Sequence, residues 1–69
     1  MKLIDLKIGD RFFLVNKSDL TRFGLEEQDQ PFTMEEMPAA PWLPDYRVYS
    51  RTKAVVVLWD DDVDVRLVQ

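Results

Sequence analysis

The chain has 69 residues, a net charge of −4, and neither cysteine nor histidine. Those counts exclude a disulfide framework, a zinc finger, an iron–sulfur cluster and any nucleophile that depends on histidine. Hydrophobic residues make up 46% and aromatics 12%, which are globular values, and no apolar run approaches the ~20 residues needed to span a bilayer.

In chain order, Leu3, Ile4, Leu6 and Ile8 form a strand-like opening interrupted by Lys2, Asp5 and Lys7. Charges inside the apolar stretch argue against a signal peptide, so a cytoplasmic location is expected. Gly9-Asp10 predicts a turn, and Arg11-Phe12-Phe13-Leu14-Val15 a strand of β-favouring residues. Residues 18–23 predict a short helical turn stopped by Gly24. The four prolines (Pro31, Pro38, Pro41, Pro44) all fall between residues 31 and 44. They argue against a regular helix or a central strand there, because proline lacks the donor both need. Thr33-Met34-Glu35-Glu36-Met37 fits a capping box, with Thr at the N-cap and Glu three residues later, and so predicts a second helical turn. Residues 17–45 therefore read as one long, acidic, Pro-rich insertion that is ordered by packing or by function.

The C-terminal part is strand-like throughout. Tyr46-Arg47-Val48-Tyr49-Ser50 alternates large and polar residues, and Ala54-Val55-Val56-Val57-Leu58-Trp59 reads as a strand covered on both faces. Asp60-Asp61-Asp62 is read as a turn that joins it in a hairpin to Val63-Asp64-Val65-Arg66-Leu67, whose residues alternate at a period of two. The fold class expected is all-β: one domain over residues 1–69, four to five strands closed into a small barrel, with one or two helical turns in the long connecting loop.

Leu6-Lys7-Ile8-Gly9-Asp10-Arg11-Phe12, Tyr49-Ser50-Arg51, Ala54-Val55 and Asp62-Val63-Asp64-Val65-Arg66-Leu67-Val68 together resemble a group of short phage and prophage proteins. These open on a Leu-Lys-x-Gly-Asp-x-Phe element and close on an Ala-Val strand, a turn and an acidic-Val-x-Val strand. The resemblance covers roughly the first 15 and last 25 residues and implies an SH3-like barrel of viral or prophage origin. It also implies an accessory or host-inhibiting role. The Pro-rich middle departs from the group, whose connection there is brief.

The charge is unevenly distributed. Residues 23–46 hold six acidic and no basic residues, residues 47–53 hold three basic and no acidic ones, and four aspartates crowd residues 60–64. In the middle segment Glu35 and Glu36 are interspersed with Phe32, Met34, Met37 and Trp42. This set fits a partner-binding surface: apolar anchors inside an acidic rim that steers toward a basic host protein. On that reading Phe32 and Met34 can pack inward while Trp42 faces out; the other reading makes the segment a cover for the barrel end. Arg47, Arg51 and Lys53 beside Tyr46 and Tyr49 form the alternative site, for nucleic acid or a nucleotide, with Arg47, Tyr49, Arg51 and Lys53 as contacts. The acidic balance disfavours nucleic acid and anionic membranes as general partners. A homo-oligomer built by edge strands is the third reading.

Asp60, Asp62 and Asp64 have the spacing of the first calcium-loop ligands, but Val65 stands where that loop needs glycine, so a solvated turn is favoured over a metal site. Ser18 and Ser50 have no histidine partner in the chain. No catalytic residue, metal or cofactor is assigned, and the protein is expected not to be an enzyme.

Overall fold

Gly9 allows the first reversal of the chain. It takes a φ of +93°, which a side chain disfavours, and the Asp10 carboxylate accepts the Lys7 N–H at 2.8 Å to close the turn. The strand beyond it, β1 (Arg11–Leu14), alternates as its sequence predicts: Phe12 and Leu14 are buried, while Arg11 is exposed. A short helix α1 (Lys17–Arg22) follows, with Leu20 as its buried residue, and Gly24 ends it at φ +71°. The opening residues differ from expectation. Leu3–Asp5 form a 3-10 turn rather than extended chain, and the Asp5 carboxylate accepts the Lys2 N–H at 2.9 Å.

The computed structural model describes residues 1–40 and 42–69. Among them β2 (Phe32–Glu36), β3 (Tyr46–Tyr49), β4 (Val55–Leu58) and β5 (Val65–Leu67) complete the strands. All join one antiparallel sheet in the order β4-β3-β2-β1-β5. The fold is small, all-β and barrel-like, with little helix. The inner face of the sheet holds Phe12, Leu14, Phe32, Met34, Tyr46, Val48, Leu58 and Val65, and Leu3, Leu6, Leu20, Phe23 and Val63 cover it. Each large side chain fully buried there stabilises the fold by about 1.5–3 kcal/mol. Phe12 and Phe32, paired across β1 and β2, sit with ring centroids 5.8 Å apart at the centre.

Further expectations are overturned. The segment read as a helical turn, Thr33 to Met37, lies in and just beyond β2, the central strand. Its prolines bound the strand instead of interrupting it: Pro31 precedes Phe32 and Pro38 follows Met37. The single long loop over 17–45 is accordingly replaced by α1, a 3-10 turn over Glu27–Asp29 and β2, leaving residues 37–40 and 42–45 outside the strands. Pro41 lies outside the described residues.

The aspartate hairpin does not form either. β4 and β5 occupy opposite edges of the sheet, and β5 pairs with β1. The connection between them passes α1, where Trp59 meets Phe23 edge-on at 4.5 Å and Asp60 pairs with Arg22 at 3.1 Å. As an edge strand β4 is covered on one face only: Val56 and Leu58 turn inward, while Val55 and Val57 remain 55% and 42% exposed. Among the described residues, no helix is long and apolar enough to cross a membrane.

Candidate functional site

β2 ends in a bulge. Met34 pairs with Val48 but Glu36 with Arg47, so Glu35 is the extra residue. The bulge breaks the alternation and exposes both glutamates, Glu35 and Glu36. Pro38 then prevents further pairing. A small turn follows, in which the Leu43 N–H donates to the Ala40 carbonyl at 3.1 Å and the Asp45 N–H to the Leu43 carbonyl at 2.8 Å. Trp42 stands on this turn and is 78% exposed, with Leu43 beside it at 55%. A side chain of that size in water is informative, since large aromatics are ordinarily mostly buried.

Between this turn and the N-terminal 3-10 turn lies a groove of about 330 Å³, lined by Ile4, Met37, Pro38, Ala39, Ala40 and Pro44, with Tyr46 and Asp61 completing it. Its wall is apolar, and Ile4 contributes to it while 60% exposed. Burial, together with the carboxylates of Asp61, Asp5 and Asp60, pushes the Tyr46 hydroxyl above its ordinary value. It therefore keeps its proton at neutral pH and remains a donor. A second, smaller depression of about 200 Å³ shares Met37 and Ala39 and is lined by Glu36, Asp45, Leu43, Val57 and Arg47.

The six residues assigned to partner binding thus separate by face. Phe32 and Met34 are core residues with no exposed surface, because strand alternation turns both inward; they cannot contact a partner. Met37 lines both grooves and Glu36 the smaller one, while Glu35 and Trp42 are exposed on the adjoining bulge and turn. Ile4 and Leu43 belong to the same surface. The sequence places Ile4 in a strand-like opening and gives no sign of this role, whereas the 3-10 turn exposes it.

The basic set also separates. Arg47 lies 3.7 Å from Glu36 on the smaller groove. Tyr49, Arg51 and Lys53 line a different cleft of about 280 Å³ with Arg11, Thr33, Ser50 and Pro31. Arg11 and Thr33 were missed because only strand register reveals them: Arg11 pairs with Thr33, and Thr33 with Tyr49. The aspartate run is held by cations of the same chain. Lys2 Nζ lies 2.8 Å from a carboxylate oxygen of both Asp62 and Asp64, while Asp60 faces Arg22. Among the described residues no three carboxylates converge on one point.

Compared with protein-family models, with curated proteins and with solved structures, the chain gives no significant match.

Proposed function

We propose that this protein is a non-enzymatic binding protein of phage type that docks a host protein through the surface around Trp42, and that docking inhibits that host protein. The observation that carries the reading is Trp42, 78% exposed beside an apolar groove of about 330 Å³. Exposed aromatics next to such a groove are the usual anchors of an interface, and a carboxylate rim adds orientation and association rate. Here Asp61 lies on the apolar groove, and Glu36 and Asp45 lie on the neighbouring depression that shares Met37 and Ala39 with it, which favours a partner that inserts an apolar side chain flanked by lysine or arginine. The wholly antiparallel strand order, with the first strand between the second and the last, supports an SH3-like barrel. The acidic surface and the small size suit action in the host cytoplasm.

The test is a pull-down from bacterial lysate with the parent chain, a Trp42→Ala variant and an Ile4→Glu variant. Both changes are at exposed positions and should leave the circular dichroism spectrum unchanged. A partner retained by the parent and lost by both variants is the expected result. Equal retention by all three would remove this surface from the interface.

A second reading, self-assembly through edge strands, is favoured by β4, whose outer valines are bare.

A further inference from the structure

The cleft on the far side of the hairpin between β3 and β4 combines charge, shape and backbone strain in one place. Its floor is a row across three neighbouring strands: Arg11 on β1, Thr33 on β2 and Tyr49 on β3, successive partners in register on the outer face of the sheet. Neighbouring strands lie about 4.8 Å apart, so the row spans roughly 10 Å from Arg11 to Tyr49. The hairpin loop adds Arg51 and Lys53 above the Tyr49 end. Three cations therefore share one concavity. Among the described residues, none of the three has a carboxylate within 4.0 Å.

The nearby carboxylates are engaged in the backbone. Asp10, next to Arg11, accepts the Lys7 N–H at 2.8 Å. Asp29, whose carbonyl accepts the Arg51 N–H at 2.8 Å, turns its carboxylate onto the Glu26 N–H at 2.9 Å. In a chain of net charge −4, three cations without counter-charges mark a place arranged for an anion.

The loop itself is strained. The Lys53 N–H donates to the Ser50 carbonyl at 2.9 Å and the Ser50 N–H to the Ala54 carbonyl at 2.8 Å, closing a three-residue connection. In this kind of hairpin the third loop residue is left-handed and favours glycine. Lys53 occupies it at φ +69°. Ser50 fixes the geometry further, since its hydroxyl accepts the Ala54 N–H at 3.1 Å and lies 3.0 Å from the Thr52 hydroxyl. Such strain persists where the surrounding structure enforces it, and it clusters at sites that bind ligands.

We propose that this cleft binds a small nucleotide. Its phosphate sits among Arg11, Arg51 and Lys53, and its base lies against the half-buried ring of Tyr49. Arginine forks match phosphate oxygens in two-bonded geometry, and bases stack on aromatic rings. The cleft's volume of about 280 Å³ suits one nucleotide. A long strand needs cations along its whole path, and the next outer-face cation on β3, Arg47, is turned to Glu36 at 3.7 Å.

The experiment follows backbone amide shifts of the labelled protein during titration with AMP, inorganic phosphate and a short oligothymidylate in low salt. AMP is expected to give saturable shifts confined to Arg11, Thr33 and residues 49–54, with an affinity in the range of about 1 mM or tighter. Lys53→Gly is expected to raise the thermal midpoint by roughly 4–8 °C, by relieving the left-handed lysine. The same change should weaken AMP binding by about threefold or more, through loss of one phosphate contact. Tyr49→Leu should weaken AMP but not inorganic phosphate. Absence of saturable shifts at these amides, or unchanged AMP affinity in Lys53→Gly, overturns the proposal. Inorganic phosphate binding as tightly as AMP reduces the cleft to an unspecific anion site and overturns it too. Oligothymidylate binding about tenfold tighter than AMP replaces the small ligand by a strand.

Discussion

Lys2 grips two aspartates at once, and its surroundings set how the protein responds to pH. Hydrogen bonds to Asp62 and Asp64 hold the Lys2 ammonium well above its ordinary value of 10.5. The hydrogen bond and charge of Lys2, aided by Asn16 and the N-terminal ammonium, hold Asp64 below its ordinary 3.8. A depressed carboxyl contributes stability above its unfolded value and loses it as pH falls through the folded one. A raised ammonium contributes below 10.5 and loses its contribution as pH rises through the raised value. The pair therefore supports the fold across the neutral range and fades at both extremes. The groups are solvent-exposed, so the contribution is small and shrinks with salt. Carboxyl titration by NMR should show the Asp64 midpoint moving up toward 3.8 in a Lys2→Met variant. A midpoint that stayed depressed would assign the shift to Asn16 and the N-terminus instead.

At the scale of elements, β2 is decisive for stability. Its inner residues, Phe32 and Met34, sit fully buried in the central strand. Met34→Ala should cost about 2–5 kcal/mol in urea denaturation, by leaving a cavity that the sheet cannot close. Against a total of order 3–10 kcal/mol for a domain of this size, that is a large fraction of the stability. β2 was also the element least legible in the sequence. Thr33-Met34-Glu35-Glu36 satisfies a helix-capping pattern locally, and nothing local contradicts it. Pairing with β1 and β3 overrides that preference, and pairing is not written in the segment itself. By contrast β1, α1, β3 and the extent of β4 were legible, because alternation, a glycine stop and a valine run are local signals. The partners of β4 and β5 were not. A turn-like aspartate run suggested a hairpin, whereas the Arg22–Phe23–Trp59 contacts carry the chain past α1. The same distinction governs the sites. Trp42 stood out as an aromatic in a Pro-rich stretch, but Arg11 and Thr33 join the basic cleft only through register.

For the whole molecule, the net charge of −4 averages surfaces of opposite character. An apolar groove with Asp61 at its edge lies beside the connection between β2 and β3, and a cleft with three cations lies at the β3–β4 hairpin. The sheet also retains two edges, β4 and β5, because these strands do not pair with each other. β4 presents Val55 and Val57 on its outer face, Val57 beside its cross-strand partner Arg47, and leaves one backbone edge unpaired, which favours association with a second strand. Light scattering after size exclusion should show self-association that grows with concentration. Val57→Lys should abolish it while leaving the thermal midpoint within a few degrees of the parent. A monomer at all concentrations would remove the assembly reading.

The pairing of β1 with β5 also bears on synthesis. Leu14 meets Val65 and Phe12 meets Leu67, contacts between opposite ends of the chain, while β1 to β4 meet their neighbours in sequence order. As the polypeptide leaves the ribosome, the first four strands can pair progressively, yet one side of β1 stays bare until residues 65–67 emerge. Folding of this domain therefore completes only after nearly all of it has been translated. Until then the inner residues of β1 lack their last cover, and nascent chains halted before residue 63 should be open to protease and to chaperone capture.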